Sequence, residues 1–283
     1  MSLPDLSFMM TVGQYRYLQS RFERGELRNP DTHVGGLLSL RERLRCYVKG
    51  CFFMQRVRSN PFYYYVLART RHYDQVFAEA LARGSAAIVN IGCGSDTRSL
   101  RFAREAKQAD AVIYECDQAA AIAAKEQVMK RRWPVEHVRF RPIDLNVDGG
   151  DVVDGILQQH AGRDVLVMLE GVSPYVDTRA FAEFLRRLAK RMTPGSRIAY
   201  DFKSVGSAVE LGVTERVQQP FRLGPAEDDV RRFHESQGLR VELFAHGADL
   251  QARALQARGG SGSPLFREDS LVVLSPMAPT AAG

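Results

Sequence analysis

Ile88-Val89-Asn90-Ile91-Gly92-Cys93-Gly94-Ser95-Asp96-Thr97 is the stretch that decides the fold. A short apolar run ends in a Gly-x-Gly turn, and a helix-compatible segment follows. A doubly wound α/β domain opens a site for a nucleotide-shaped ligand in this way. The first glycine permits the tight turn, the second lets a ligand approach bare backbone, and the next helix presents unpaired N–H groups. Ordinary strand–loop–helix turns use the same glycines for geometry alone, so the surrounding strands must carry the argument.

Those strands are regular. Ala87–Ile91 is strand one, followed by a helix over Ser99–Ala109. Ala111–Glu115 is a second strand, followed by a helical run through Met129, and Val138–Ile143 is a third. Val165–Leu169 is continuously apolar between Asp164 and Glu170, as expected of a parallel strand covered on both faces. The next helix places Phe181, Phe184, Leu185, Leu188 and Met192 on one face and Arg186, Arg187, Lys190 and Arg191 on the other. Asp177 or Thr178 caps its start, and Thr193-Pro194-Gly195 stops it. Arg197–Phe202 is a fifth strand, and Leu239–Phe244 and Ser270–Leu274 are a late strand pair separated by a Gly/Ser-rich loop around 259–263. Residues 1–86 differ: they are helical, polar-aromatic and irregular, with Phe62-Tyr63-Tyr64-Tyr65 ahead of a helix over Leu67–Leu81. The expected organisation is a helical extension or lid over 1–86, an α/β core over 87–275 and a disordered tail over 276–283.

Composition narrows the function. The 283 residues are 45% hydrophobic and 25% charged, enough for one large core. No window approaches twenty apolar residues, and the N-terminus lacks the pattern of a secretory signal, so a cytoplasmic protein with no membrane partner is expected. Cys46, Cys51, Cys93 and Cys116 form no Cys-x-x-Cys pair and read as small hydrophobes; the six histidines form no ligand-spaced pair, so no metal is expected. The net charge of +6 comes from scattered arginines without a nucleic-acid motif, which argues against nucleic acid and biases encounter towards an acidic partner or anionic substrate.

Ligands of an open parallel sheet bind beyond the carboxyl ends of its strands. Gly92 and Gly94 stand after strand one, Asp117 after strand two, Asp144-Leu145 after strand three and Glu170-Gly171 after strand four. Each acid could simply cap a helix or turn; four successive strand ends carrying such residues point to a site. Asp117 is placed to accept both hydroxyls of a ribose. A dinucleotide turn wants a third glycine beneath the pyrophosphate, and Thr97 stands there instead. That favours S-adenosyl-L-methionine over NAD, and leaves a nicotinamide oxidoreductase a distant alternative.

At these residues the chain resembles the leucine carboxyl methyltransferase family, including its bacterial branch acting on polyketide-type and other small-molecule acids. Val89–Arg98 is similar to the family's glycine motif with its Asp-Thr pair, Ala68–Asp74 to its Arg-containing helix, Tyr114–Gln118 (with Lys125 beyond) to its second-strand motif, and Leu169–Tyr175 to its strand-four motif. The match runs from Lys49 to Phe202, with a faint N-terminal echo at Thr11–Arg16. The resemblance implies a doubly wound seven-stranded sheet of the class I methyltransferase type with an N-terminal helical lid. It implies that Arg69, assisted by Lys49, holds the methionyl carboxylate. Gly92 and Gly94 would lie against the cofactor, Asp117 would bind its ribose, Asp144 and Leu145 would flank the adenine, and Glu170 would sit near the methionyl amine. Tyr175 would face the substrate.

Methyl transfer from a sulfonium is an in-line displacement governed by positioning. A carboxylic acid is already ionised at neutral pH, whereas a phenol gains from a base. His72 is the one serious base candidate, and it belongs to the lid-side helix. The sequence therefore leans towards a methyl ester on a small-molecule carboxylate. The alternatives are O-methylation of a phenolic or enolic hydroxyl, and a non-catalytic nucleotide-fold protein that binds an acidic partner.

Overall fold

The computed structural model describes residues 10–206, 217–256 and 264–278. Four helices come first: α1 (Val12–Phe22), α2 (Leu40–Phe52), α3 (Met54–Arg58) and α4 (Pro61–Ala82). Thr11 with Gln14, and Ser39 with Glu42, form reciprocal capping boxes that start α1 and α2. Asn60 caps α4, with Pro61 in its first turn. There follow β1 (Ala87–Ile91), α5 (Arg98–Arg101), α6 (Ala103–Gln108), β2 (Val112–Asp117), α7 (Ala119–Arg132), β3 (Val138–Pro142), α8 (Asp151–Gln159), β4 (Val165–Leu169), α9 (Thr178–Arg191) and β5 (Arg197–Ser204). The chain ends with β6 (Arg222–Leu223), α10 (Glu227–Ser236), β7 (Leu239–His246), α11 (Gly247–Gln256) and β8 (Asp269–Pro276).

The sheet order is β3-β2-β1-β4-β5-β8-β7, with the two-residue β6 beside β5, so eight strands stand where seven were expected. The strands β1 to β5 pair in parallel, and β8 runs antiparallel between β5 and β7. Strand order reverses between β1 and β4, the switch point at which such sheets bind ligands. Register makes that point sharp. Ile91 lies level with both Cys116 and Leu169, so the next residues, Gly92, Asp117 and Glu170, emerge side by side.

Both faces of the sheet are buried, which explains the apolar run of β4. Val165, Val167 and Leu169 pack with Phe181, Phe184, Leu185 and Leu188 of α9. Leu166 and Met168 pack on the opposite face with Tyr65, Tyr73 and Phe77 of α4. Each such large chain contributes about 1.5–3 kcal/mol by leaving water. Asp177 caps α9 as expected.

Three expectations change. The helix read as starting at Leu67 starts at Pro61, so Tyr63 and Tyr64 pack among α1 to α3 while Tyr65 faces the sheet. The helix over Ser99–Ala109 is interrupted at Phe102, whose ring stacks on Phe77 at 5.2 Å. The disordered tail expected from Pro276 does not begin there. Pro276 pairs with Leu239 in the sheet, and the Met277 N–H donates to the Gly238 carbonyl. The Gly/Ser-rich loop around 259–263 and residues 279–283 lie outside the described residues. Cys46, Cys93 and Cys116 are buried as small hydrophobes, whereas Cys51 is exposed. Among the described residues, no helix is long and apolar enough to cross a membrane.

Candidate functional site

Two adjoining cavities open at the switch point and share Gly92 and Gly171. The larger, about 430 Å³, has Arg16, Arg69, Gly94, Asp96 and Glu170 in its walls and is roofed by Thr11–Gly13, Leu37, Leu38 and Glu42 of the N-terminal segment. The smaller, about 220 Å³, is lined by Asp117, Asp144, Leu145, Asn146, Val172 and Tyr175, among others.

The turn after β1 is held by positive backbone angles, φ +65° at Gly92 and +39° at Gly94. The two glycines differ in purpose. A Cβ on Gly92 would lie 2.2 Å from Val172 Cγ2, so that glycine lets the β1 and β4 ends approach each other. A Cβ on Gly94 would meet nothing closer than the Gly92 carbonyl at 3.9 Å, so its surroundings are open to a ligand. The Gly94 N–H donates to Asp117 Oδ2 at 2.7 Å, which ties the first and second strand ends together.

Glu170 is the centre of the larger cavity. It accepts from Arg16 (2.5 Å) and Arg98 (2.7 Å), and from the Nε of Arg69 (3.1 Å). Burial raises its pKa, but the three guanidiniums outweigh burial and hold it down at about 2. Arg69 also donates to Asp201 at 3.0 Å; burial is the largest influence on that acid and lifts it to about 6. The Asp-Thr pair of the glycine motif organises the same network. Asp96 accepts from Asn90, from the Arg98 backbone and from the Arg98 guanidinium. Thr97 donates to Asp31 of the N-terminal segment at 2.5 Å. Lys125 reaches Glu115 at 2.9 Å beneath the turn.

Of the residues singled out from sequence, Arg69, Gly92, Gly94 and Glu170 come together in the larger cavity, and Asp117, Asp144, Leu145 and Tyr175 in the smaller. Tyr175 is half exposed at its mouth. Lys49 is not brought to either cavity; it stands in the last turn of α2. Arg16 of α1 supplies the second cation instead. Its only sequence signal was the faint N-terminal echo, because its partner Glu170 is 154 residues away. Asn146 was also missed: it donates to the Tyr175 carbonyl and accepts from the Asp177 N–H, bracing the β3 and β4 ends. His72 lines a separate cavity of about 270 Å³ between α4 and β5, β7 and β8, and burial holds its pKa near 4.

The donor set fits an adenosyl cofactor bearing an amino acid. The Arg16 Nε is buried without a hydrogen-bond partner in the wall of the larger cavity, as an acceptor-seeking cation would be. Asp117 offers acceptors at the smaller cavity, whose apolar walls include Leu145 and Val172.

The leucine carboxyl methyltransferase family model matches residues 52–189. A protein of Mycobacterium ulcerans (strain Agy99) named "Putative S-adenosyl-L-methionine-dependent methyltransferase" is 27% identical over 215 residues, covering 74% of this chain and 66% of that protein. One of the same name from Mycolicibacterium vanbaalenii is 31% identical over 209 residues, covering 66% of this chain and 65% of that one. The chain thus spans just under two thirds of these relatives' length. A "putative methyltransferase" from Thermobifida fusca YX, solved by crystallography, shares the fold with a TM-score of 0.57 at 11% identity and 97% coverage of both chains. The glycine motif, the second-strand acid and the strand-four acid stand at one switch point, inside the stretch 52–189 that is similar to the leucine carboxyl methyltransferase family.

Proposed function

We propose that the protein is an S-adenosyl-L-methionine-dependent O-methyltransferase that esterifies a carboxylate of a small-molecule acid of secondary-metabolite or polyketide type. The cofactor is S-adenosyl-L-methionine, as in the relatives' name. Arg69 and Arg16 hold the methionyl carboxylate, Arg16 taking the part first given to Lys49, and Glu170 accepts from the amine. Asp117 takes the ribose hydroxyls, Asp144 and Leu145 flank the adenine, and Gly92 and Gly94 form the backbone wall. When bound, the cofactor supplies a methyl group on an electrophilic sulfonium. The chain's own work is to orient an acceptor opposite that methyl and exclude water, with Tyr175 at the open side and the N-terminal helices as a lid.

The observation that carries the carboxylate reading is that neither cavity holds a histidine base. Among the described residues no histidine lines either cavity, and His72, near pKa 4, belongs to another. An ionised carboxylate needs no proton removed; a phenol does. The test is incubation of the full chain with methyl-tritiated S-adenosyl-L-methionine and a panel of small carboxylic acids and phenols. Label released by alkali as methanol supports the ester, and label held in alkali-stable ether on phenols alone would replace it with the hydroxyl reading. Salt-sensitive capture of an acidic partner, indifferent to Asp117→Ala and without turnover, would instead support the non-catalytic alternative.

A further inference from the structure

The helix α2 turns its apolar side to solvent. Leu40, Leu44 and Phe52 are 73%, 62% and 78% exposed, and Tyr47, Val48 and the following Phe53 are about half exposed. At 100° per residue, positions 40, 44, 47, 48 and 51 share an arc of roughly 100°, with Phe52 at its margin. The opposite side is fixed inward. Cys46 and Gly50 are buried, and a Cβ on Gly50 would lie 2.3 Å from the Phe22 ring. The outward stripe is therefore not free to rotate into the core. Exposed large hydrophobics scattered singly need no explanation, but a continuous stripe marks an interaction surface.

The charges beside the stripe define what it meets. Arg41 and Arg45 border it on one side and Arg43 on the other. Residues 40–58 carry six basic side chains (Arg41, Arg43, Arg45, Lys49, Arg56 and Arg58) against one acid, Glu42. Glu42 already accepts from Ser39 and Gln14, and Arg58 pairs with Glu23. Arginines follow the apolar ridge along both margins, and their single sign complements a uniformly anionic surface. That pattern suits a helix lying in the headgroup layer: apolar chains sink towards the acyl boundary, while arginine stems extend and keep their heads among lipid phosphates. Tyr47, Phe52 and Phe53 add aromatic rings of the kind that settle at such interfaces.

We propose that α2 seats the protein on an anionic lipid bilayer, apolar stripe inward and arginines on the phosphates. The helix has 13 residues, too short to span, and lies along the surface. The sequence expectation of no membrane partner rested on the lack of a spanning segment, and lying on a membrane needs none. Leu37, Leu38 and Glu42 roof the larger cavity, so the segment that meets lipid also walls the site. The proposal is independent of the methyl-transfer reading.

The test is co-sedimentation of the full chain with vesicles of phosphatidylglycerol and phosphatidylcholine in equal parts, against pure phosphatidylcholine. The wild type should pellet with the anionic vesicles and lose binding as sodium chloride is raised. Leu44→Asp combined with Phe52→Asp, both at exposed positions, should lower the partition coefficient roughly tenfold to hundredfold. Arg41→Glu with Arg45→Glu should lower it by about tenfold or more. Circular dichroism and S-adenosyl-L-methionine binding, measured on each variant, separate lost docking from lost fold or lost cofactor. Wild type that stays in the supernatant, or pelleting that the Asp pair leaves unchanged, overturns the proposal. So does a wild-type dimer that ignores vesicles and dissociates in Leu44→Asp, which would assign the stripe to a second copy of the chain.

Discussion

Arg16 and Glu170 are 154 residues apart in sequence and share a hydrogen bond of 2.5 Å in the wall of the larger cavity. The contact joins α1, the first described helix, to the end of β4, in the sheet's core. Arg69 and Arg98 reach the same carboxylate, so one buried anion holds the N-terminal helices, α4 and the glycine turn together.

Glu170→Gln should therefore damage fold and site at once. Removing the anion takes one partner from each of three buried guanidiniums. Arg69 keeps Asp201 and Arg98 keeps Asp96, but Arg16 is left with only Asp31 at 3.8 Å, and breaking such a buried pair costs about 3–5 kcal/mol. Arg16→Ala should be milder in stability, about 1–3 kcal/mol. It should still weaken S-adenosyl-L-methionine binding by about tenfold or more, because a cavity cation is lost. Urea unfolding and calorimetric titration of both variants check the split; equal stability losses would remove Glu170 from the centre of the network.

The two glycines of the turn should separate packing from ligand approach. Gly92→Ala meets Val172 at 2.2 Å and sits at φ +65°, so overpacking and backbone strain together should destabilise by about 2–4 kcal/mol. Gly94→Ala has open surroundings and should cost about 1–2 kcal/mol through its backbone angle alone, while losing most cofactor affinity. Paired thermal melts and titrations decide it, and a Gly94→Ala protein with wild-type affinity would remove the ligand from that wall.

Stability should fall as pH drops from 6.5 to about 4. Burial holds His72 and His234 neutral, each with its pKa lowered to about 4 from 6.5. The unfolded chain binds those protons first, so the stability they carry is present above pH 6.5 and lost as pH falls through 4. Asp201 opposes them. Its pKa is raised to about 6, so its contribution is lost as pH rises through 6 and regained on acidification. Two groups outweigh one. Below the ordinary carboxylate range Glu170 adds to the loss, since its stabilisation disappears as pH falls towards 2. Urea midpoints across this range should decline, with a shallower slope in His72→Gln; a flat profile contradicts the assignment.

Much of the core was legible because its signals are local. The apolar runs of β1 and β4 have the expected limits, and the acids at the strand ends meet because parallel register aligns Ile91, Cys116 and Leu169. The roof over the site was not legible. Lys49 and Arg16 both stand on N-terminal helices, and nothing in their own neighbourhoods says which one faces Glu170. Packing decides: α1 brings Arg16 into the wall of the larger cavity, and Lys49 stays out of both cavities. The two-residue β6 carries no periodicity, and it forms only by pairing alongside the end of β5. The direction of each ring in the tyrosine run at 63–65 was not legible either, because aromatic composition does not reveal it. As part of α4 its members point to different neighbours, all of them core.

The most direct measurement is calorimetric titration of the full chain with S-adenosyl-L-methionine, beside S-adenosylhomocysteine and NAD, in the wild type and Asp117→Ala. The account predicts micromolar binding of the first two ligands, none of NAD, and a roughly tenfold to hundredfold loss in Asp117→Ala, the worth of hydrogen bonds to a charged acceptor. Absence of binding at saturating S-adenosyl-L-methionine, or affinity untouched by Asp117→Ala, would contradict it.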